Sequence, residues 1–145
     1  MKKRIVITGC SKRDGVGYQL TQTLLNRGHE VIATVRDMSG SDLVQDYSEK
    51  SHALTIKRLD LCDSSSVQTF IDEVLGEFGY IDVLVNNAAN VAFGPVETLS
   101  QADLHTTFQT KVFGAIALIQ GFLPTMRERK SGCLITTSTV FCSLP

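Results

Sequence analysis

The amino-acid sequence predicts an α/β fold, a three-layer αβα sandwich built on a parallel sheet with strand order 3-2-1-4-5. Short apolar runs rich in β-branched residues alternate five times with segments of helical periodicity. A glycine-rich turn joins the first of these runs to the first helical segment. Right-handed crossovers would place helices on both faces of the sheet. A ligand crevice is then expected at the carboxyl ends of strands 1 and 4, where the winding reverses.

The first half of the chain contains three predicted strands, which are short and apolar and extend over residues 4–8, 31–35 and 53–61. The first helix is expected from about residue 15 to residue 27, because Gly28 is a suitable C′ residue. A turn at residues 39–41 provides a cap for a short helix over 42–49.

The second half of the chain has the clearest helical signal, which follows a cap at Asp63-Ser64 and ends at Gly79. Its apolar side chains recur at helical spacing: Val67, Phe70, Ile71, Val74, Leu75 and Phe78. The fourth and fifth strands are expected over 81–85 and 133–137. Between them, Ser100 caps a helix that extends to about residue 126. Its predicted buried stripe is Leu104, Phe108, Val112, Ile116, Ile119, Leu123 and Met126.

The glycine-rich turn contains Gly9, Gly15 and Gly17, and it lies directly after the first strand. Glycines let the backbone approach a pyrophosphate closely, because no Cβ intervenes. The helix that follows offers unpaired N–H groups and the positive end of its dipole to an anion. An ordinary strand-to-helix turn is the alternative interpretation. The strand-turn-helix context favours a Rossmann-like dinucleotide site.

Charged residues near the second strand bear on which dinucleotide is bound. Arg36 and Asp37 follow that strand, at the position that meets the adenosine ribose. An arginine favours the 2′-phosphate of NADP, whereas a carboxylate favours the free 2′-hydroxyl of NAD. Lys12 and Arg13 add positive charge in the glycine loop, so that three cations, counting Arg36, stand against Asp14 and Asp37. NADP(H) is therefore expected over NAD(H), although the two loop cations have an alternative interpretation as solvated charges.

The other predicted strands also end in residues suited to a cofactor or substrate. Asp60 has a carboxylate that could accept the adenine amino group or simply cap a turn. Asn87 can tie neighbouring strand ends together, and the small Ala88 leaves room beside the backbone. Ser138 and Thr139 end the fifth strand, where a hydroxyl could point at a substrate carbonyl or form only a polar strand end.

Composition narrows the range of partners. The net charge of −1 gives no indication of a nucleic-acid partner, and no apolar run approaches the length of a membrane span or of a secretory signal. We expect a cytoplasmic location and no metal site, since the histidines are isolated. The four cysteines lack a C-x-x-C pair and are interpreted as small buried side chains in a reducing compartment: Cys10, Cys62, Cys133 and Cys142.

Together these motifs resemble the classical short-chain dehydrogenase/reductase family. The resemblance covers essentially the whole chain and rests on Thr8-Gly9…Gly15-Val16-Gly17, Asp60-Leu61, Asn86-Asn87-Ala88-Ala89, residues 122–126 and Gly132…Ser138-Thr139. Residues 31–37 look most like the NADP-preferring branch that includes steroid dehydrogenases and acyl-dihydroxyacetone-phosphate reductases. The resemblance implies these cofactor-binding residues: Gly9, Ser11, Gly15, Val16, Gly17, Arg36, Asp60, Leu61, Asn87 and Ala88.

The family transfers a hydride between the nicotinamide and a carbonyl or alcohol carbon. A serine orients the substrate oxygen, a tyrosine transfers the proton, and a lysine four residues later lowers the pKa of that tyrosine. Residue type assigns the serine role to Ser138, whereas counting from Gly132 assigns it to Thr139.

The sequence departs from the family pattern in three places. Five residues, rather than three, separate Gly9 from Gly15, and Lys111 stands where the family has an asparagine. No tyrosine is followed by lysine four residues on, as Tyr18, Tyr47 and Tyr80 are followed by Gln22, Ser51 and Leu84.

The sequence is therefore interpreted as one NAD(P)-binding domain over residues 1–145 of an NADP-dependent oxidoreductase, incomplete at its C-terminus and lacking the last strands. A small-molecule carbonyl or alcohol would be the substrate, and negligible turnover is expected from this chain alone. The full-length protein is expected to be a homo-oligomer. The alternatives are a non-catalytic dinucleotide-binding or interaction module and a degenerate truncated product.

Overall fold

Five parallel strands form the centre of the computed structural model, which describes residues 1–47, 53–90, 92 and 94–138. The strands are β1 (Arg4–Ile7), β2 (Glu30–Val35), β3 (Leu54–Arg58), β4 (Val83–Asn86) and β5 (Cys133–Thr136). Their order in the sheet is β3-β2-β1-β4-β5, and all four pairings are parallel. The predicted strand order is thus confirmed. The register sets Ile7 opposite Ala33 and Val85, so β1, β2 and β4 end at the same edge.

Helices connect the strands: α1 (Val16–Asn26), α2 (Asp42–Asp46), α3 (Ser64–Phe78), α4 (Gln101–Phe108) and α5 (Gly114–Glu128). A 3₁₀ turn (Val96–Thr98) precedes α4, and a π-helical segment (Gln109–Phe113) joins α4 to α5. Asp63 and Ser100 act as the predicted caps, because their side chains accept hydrogen bonds from Ser65 N and Asp103 N. The predicted end of the second helix, at residues 48–49, lies outside the described residues. No helix in the described ranges has the length and apolar character needed to cross a membrane.

Each face of the sheet is covered by its own apolar cluster, because successive side chains of a strand point to opposite faces. One cluster joins the sheet to α3 and α5 and includes Val6, Ile32, Leu84, Phe70, Leu118 and Phe122. The other joins the sheet to α1 and α2 and includes Ile5, Ile7, Val31, Val35, Tyr18 and Leu43. The three-layer αβα architecture is therefore confirmed.

The predicted buried stripe of the long helix is wrong at three of its seven positions. Phe108 is 56% exposed and Ile116 is 46% exposed, and Val112 is exposed as well. The side of α5 that is buried instead carries Gly114, Leu118, Phe122 and Met126. Only Met126 belongs to both sets. For α5, the π-helical segment accounts for the difference, because its i→i+5 turns change the rotational phase of the helix before α5 begins.

Among the three cysteines that the structure describes, only Cys10 follows the sequence-based expectation, and it is completely buried. Cys62 and Cys133 are exposed, so the expectation of burial is wrong for them. Cys62 lies in the turn before α3, and Cys133 begins β5, whose four residues are all exposed. Cys142 lies outside the described residues.

Cys10 is expected to resist alkylation in the folded protein, because burial raises the pKa of its thiol to about 11. Iodoacetamide at pH 8 should modify Cys62 and Cys133 in the native state and Cys10 only after unfolding in urea. Peptide mass spectrometry of timed samples measures the three rates. Native labelling of Cys10 as fast as that of Cys62 would show that the Cys10 environment is open.

Candidate functional site

A cleft of about 370 Å³ lies at the carboxyl ends of β1, β2, β3 and β4. Seven of the residues predicted for the site line it: Gly9, Ser11, Gly15, Arg36, Asp60, Leu61 and Ala88. The remaining lining residues are Lys12, Thr34, Leu59, Ala89, Asn90 and Thr110. The glycine loop and the ends of three further strands are therefore brought together in one cavity, at the edge where parallel α/β sheets bind ligands.

The glycines of the β1–α1 corner are required by close backbone contacts. Gly9 has a φ of +76°, and a Cβ added there would lie 2.7 Å from Ala88 Cα. A Cβ added to Gly17 would overlap Gly9 O and lie 2.7 Å from Asn87 Nδ2. Gly9 and Ala88 thus form the wall of the cleft, whereas Gly17 is buried behind it and lets α1 approach the end of β1.

The ends of β1 and β4 are joined by hydrogen bonds from Thr8 and Asn87. Thr8 Oγ1 accepts hydrogen bonds from Asn87 N and Ala88 N, both at 2.9 Å. Asn87 Nδ2 donates to Thr8 O at 2.9 Å and to Gly9 O at 3.2 Å. Asn87 itself does not line the cleft, so it acts by holding Gly9 and Ala88 in place. Thr8 belongs to the Thr8-Gly9 motif but is not among the predicted site residues, although a polar residue at the end of a buried strand was an available signal.

Arg36 and Asp37 have opposite environments at the end of β2. Arg36 lines the cleft, and its guanidinium has no hydrogen bond or ion pair within the described part of the chain. Asp37 Oδ1 accepts hydrogen bonds from Ser39 Oγ at 2.8 Å and Ser39 N at 2.9 Å. These bonds hold the pKa of Asp37 below its usual value. The carboxylate is therefore occupied by its own turn and does not line the cleft.

Two cations of the glycine loop also differ in their positions. Lys12 lines the cleft, and Arg13 does not, because the guanidinium of Arg13 pairs with Asp46 of α2. On the opposite side, Asp60 lines the cleft while its Oδ1 accepts a hydrogen bond from Cys62 N at 2.9 Å. Asp60 thus forms a turn and also lines the cavity.

Several predicted residues lie apart from the cleft. Val16 is 64% exposed at the start of α1, and Ser138 is exposed beyond β5. Thr139 lies outside the described residues. Lys111 is exposed in the π-helical segment, and its neighbour Thr110 lines the cleft. Thr110 belongs to the π-helical segment, which is distant in sequence from the glycine loop and reaches the cleft only through the tertiary fold. No local sequence pattern therefore predicts that Thr110 lines the cleft.

No group of three His, Cys, Asp or Glu side chains suited to a metal ion occurs among the residues that the structure describes. The cleft presents the charged side chains of Lys12, Arg36 and Asp60, beside backbone N–H groups at the start of α1. This donor set fits a ligand with phosphate groups at one end and a nitrogen base.

Comparison with known proteins gives consistent matches over nearly the whole chain. A family model described as short chain dehydrogenase matches residues 3–145. Retinol dehydrogenase 8 from Bos taurus is 34% identical over 143 residues, which cover 95% of this chain and 45% of the relative. The 17-beta-hydroxysteroid dehydrogenase type 1 from Mus musculus is 33% identical over 146 residues, which cover 94% of this chain and 40% of the relative. The chain thus spans less than half the length of these two relatives.

Solved structures resemble the chain closely in fold. A short-chain dehydrogenase from Streptomyces avermitilis has a TM-score of 0.87 and 32% identity, over 99% of this chain and 52% of that chain. A metagenomic short-chain oxidoreductase in complex with NADP has a TM-score of 0.86 and 28% identity, over 99% of this chain and 64% of that chain.

Proposed function

Because this chain belongs to the short-chain dehydrogenase family, we propose that it binds NADP(H) in the cleft at the carboxyl edge of the sheet. It would form the cofactor-binding part of an oxidoreductase whose substrate is a small-molecule carbonyl or alcohol. The cofactor supplies the hydride chemistry, and this chain's residues bind and orient it. The single domain over residues 1–145 and a homo-oligomer of the full-length protein are part of the same proposal.

The β1–α1 corner supports binding of the pyrophosphate. Gly9 and Gly15 line the cleft, so the backbone there presents no Cβ to the ligand. No side chain caps the N-terminus of α1 within the described residues, which leaves its first N–H groups available to an anion. Asp60 and Leu61 would accommodate the adenine at the end of β3, and Ser11 would contribute a hydroxyl beside the phosphates.

The free guanidinium of Arg36 is the observation that carries the preference for NADP(H). It lines the cleft without a partner in the described ranges, while Asp37 is bound to Ser39. A 2′-phosphate would find one unpaired cation there and a second in Lys12. The 2′-hydroxyl of NAD would lack the carboxylate that usually accepts its hydrogen bond.

We expect Arg36→Asp to weaken NADPH binding by about 10–100-fold, because a repulsive carboxylate replaces the cation that would pair with the 2′-phosphate. NADH binding should change by less than about threefold. Titration followed by the fluorescence of the reduced nicotinamide measures both dissociation constants. Arg27→Asp, which reverses a charge at the far end of α1, is the matched control. An unchanged NADPH/NADH preference in Arg36→Asp would remove Arg36 from this role.

The substrate side of the proposal rests on Ser138 and Thr139, which follow β5. The ladder continues past the strand, since Thr137 N donates to Asn86 O at 3.0 Å. A hydroxyl immediately after this pairing would hold a substrate oxygen by a hydrogen bond and orient the carbonyl carbon toward the nicotinamide. Ser138 is proposed for this role by residue type, with Thr139 as the neighbouring candidate.

A non-catalytic dinucleotide-binding module is the second candidate, and Lys111 favours it. A cation stands in the π-helical segment beside Thr110, where the family has a neutral amide. The proton relay of the family would therefore need a different arrangement here. Both candidates predict NADPH binding and negligible turnover by residues 1–145 alone, and the second candidate also predicts no hydride transfer by the full-length protein.

A further inference from the structure

The enlarged glycine loop is fastened to α2 by a set of polar contacts that we call the loop clamp, formed by Arg13, Tyr18, Asp42 and Asp46. Arg13 Nε donates to Asp46 Oδ2 at 2.7 Å, and Arg13 Nη2 contacts the other carboxylate oxygen. The Tyr18 hydroxyl donates to Asp46 Oδ2 at 2.6 Å. Arg13 N donates to Asp42 Oδ2 at 3.1 Å.

Burial of Tyr18 and a further hydrogen bond to Arg13 hold the loop clamp in place. Tyr18 is 3% exposed and belongs to the apolar cluster under α1 and α2, so its hydroxyl holds Asp46 from a rigid position. Gln19 Nε2 donates to Arg13 O at 2.7 Å and fixes the loop backbone to α1. The Arg13 guanidinium lowers the pKa of Asp46 to about 2, and the carboxylate is therefore ionised throughout the neutral range.

Lys12 lies between two anchored residues of this loop. Ser11 O accepts a hydrogen bond from Asp42 N at 2.8 Å, and Arg13 is held by Asp46. Lys12 Nζ donates a hydrogen bond to Gly40 O at 3.4 Å. Lys12 also lines the same cleft as Arg36. Because both flanking residues are bonded to α2, the backbone of Lys12 is already ordered, and ligand binding costs it little further conformational entropy.

We propose that the Arg13–Asp46 ion pair is a positioning device, which holds the Lys12 ammonium at the Arg36 end of the cleft and thereby strengthens binding of a 2′-phosphorylated dinucleotide. The inference rests on the proposed function. Arg13 itself does not contact the ligand, because its guanidinium is paired with the Asp46 carboxylate. Its contribution is to remove the entropic cost of ordering the loop around the phosphate.

Adenosine 2′,5′-bisphosphate and AMP are suitable probes, because both carry a 5′-monophosphate and they differ only in the 2′-phosphate. By isothermal titration calorimetry, Arg13→Gln should bind the bisphosphate about fivefold more weakly, with AMP binding changed by less than about twofold. Asp46→Asn should have the same effect, and the double variant should be no weaker than either single variant. Arg13→Lys, which keeps the charge, should restore most of the selectivity.

Arg27→Gln is the matched control, since it removes an arginine charge outside the clamp at the end of α1. An unchanged ratio of the two dissociation constants in Arg13→Gln would overturn the inference. Tighter bisphosphate binding by Asp46→Asn would also overturn it, because Asp46 would then only mask a cation. If the unmodified chain binds neither the bisphosphate nor NADPH, the proposed function fails first. Thermal unfolding of each variant identifies any loss of the folded state.

Discussion

Replacement of Gly17 by alanine is expected to reduce NADPH binding by about 100-fold, since a backbone shift of order 1 Å at a positioned site has effects of this size. The new Cβ would overlap Gly9 O and lie 2.7 Å from Asn87 Nδ2. Neither partner can yield freely. Gly9 is part of the cleft wall, and Asn87 Nδ2 bonds to Thr8 O and Gly9 O. The corner must therefore open, and the free energy of unfolding should fall by about 1–3 kcal/mol.

Gly76→Ala is the matched control for this substitution. Gly76 lies inside α3, and an added Cβ would meet no atom within 4 Å. Alanine there should raise the free energy of unfolding by about 0.5–1 kcal/mol, because it is the better helix former, and should leave NADPH binding unchanged. Fluorescence titration and urea denaturation measure the two quantities. Wild-type NADPH affinity in Gly17→Ala would show that the corner does not position the cofactor.

Phe122→Ala is expected to lower the free energy of unfolding by about 3–5 kcal/mol, through lost burial and the cavity left behind. Phe122 is completely buried in the α3/α5 cluster. Its ring meets that of Phe70 edge-on, with centroids 6.1 Å apart and an interplanar angle of 85°. Because domains of this size are commonly stable by only about 5–15 kcal/mol, a loss of this size approaches complete unfolding. Urea denaturation followed by circular dichroism gives the difference.

Phe108→Ala makes the same chemical change at an exposed site and serves as its control. Phe108 is 56% exposed in α4, so the expected change is within about 0.5 kcal/mol. The comparison separates the buried side of the helix from the stripe that the sequence predicts. A loss of stability in Phe108→Ala as large as that in Phe122→Ala would mean that the predicted stripe, not Gly114-Leu118-Phe122-Met126, carries the packing.

Local sequence patterns are sufficient for most of the fold. The β-branched runs predict all five strands, Asp63 and Ser100 are found as caps, and Gly79 ends α3 with a φ of +76°. The glycine-rich turn identifies the edge of the sheet where the cleft lies. These features depend on backbone sterics and on hydrogen bonds between residues close in sequence, so a single chain segment contains the information.

The long helix exposes the limit of such patterns. Its apolar spacing assumes one uninterrupted α-helix, and the π-helical segment at Gln109–Phe113 breaks that assumption. Gly114 then lies against Leu61, where an added Cβ would be 2.8 Å from Leu61 Cβ. The phase of α5 is therefore set by how its backbone meets the residues after β3. That contact joins residues 53 positions apart in the chain, which no local periodicity can report.

By itself, the sequence determined the parallel sheet, its strand order and the glycine corner, because each follows from short-range preferences and the handedness of crossovers. The tertiary structure alone decided which charged side chains have partners and which one lines the cleft without a partner. Arg13 forms an ion pair with Asp46, and Asp37 accepts hydrogen bonds from Ser39, whereas Arg36 is left unpaired in the cleft among the described residues. The physical reason is that a charge's role depends on which partner the folded chain brings within hydrogen-bond distance, and Arg13 and Asp46 are 33 residues apart in the sequence.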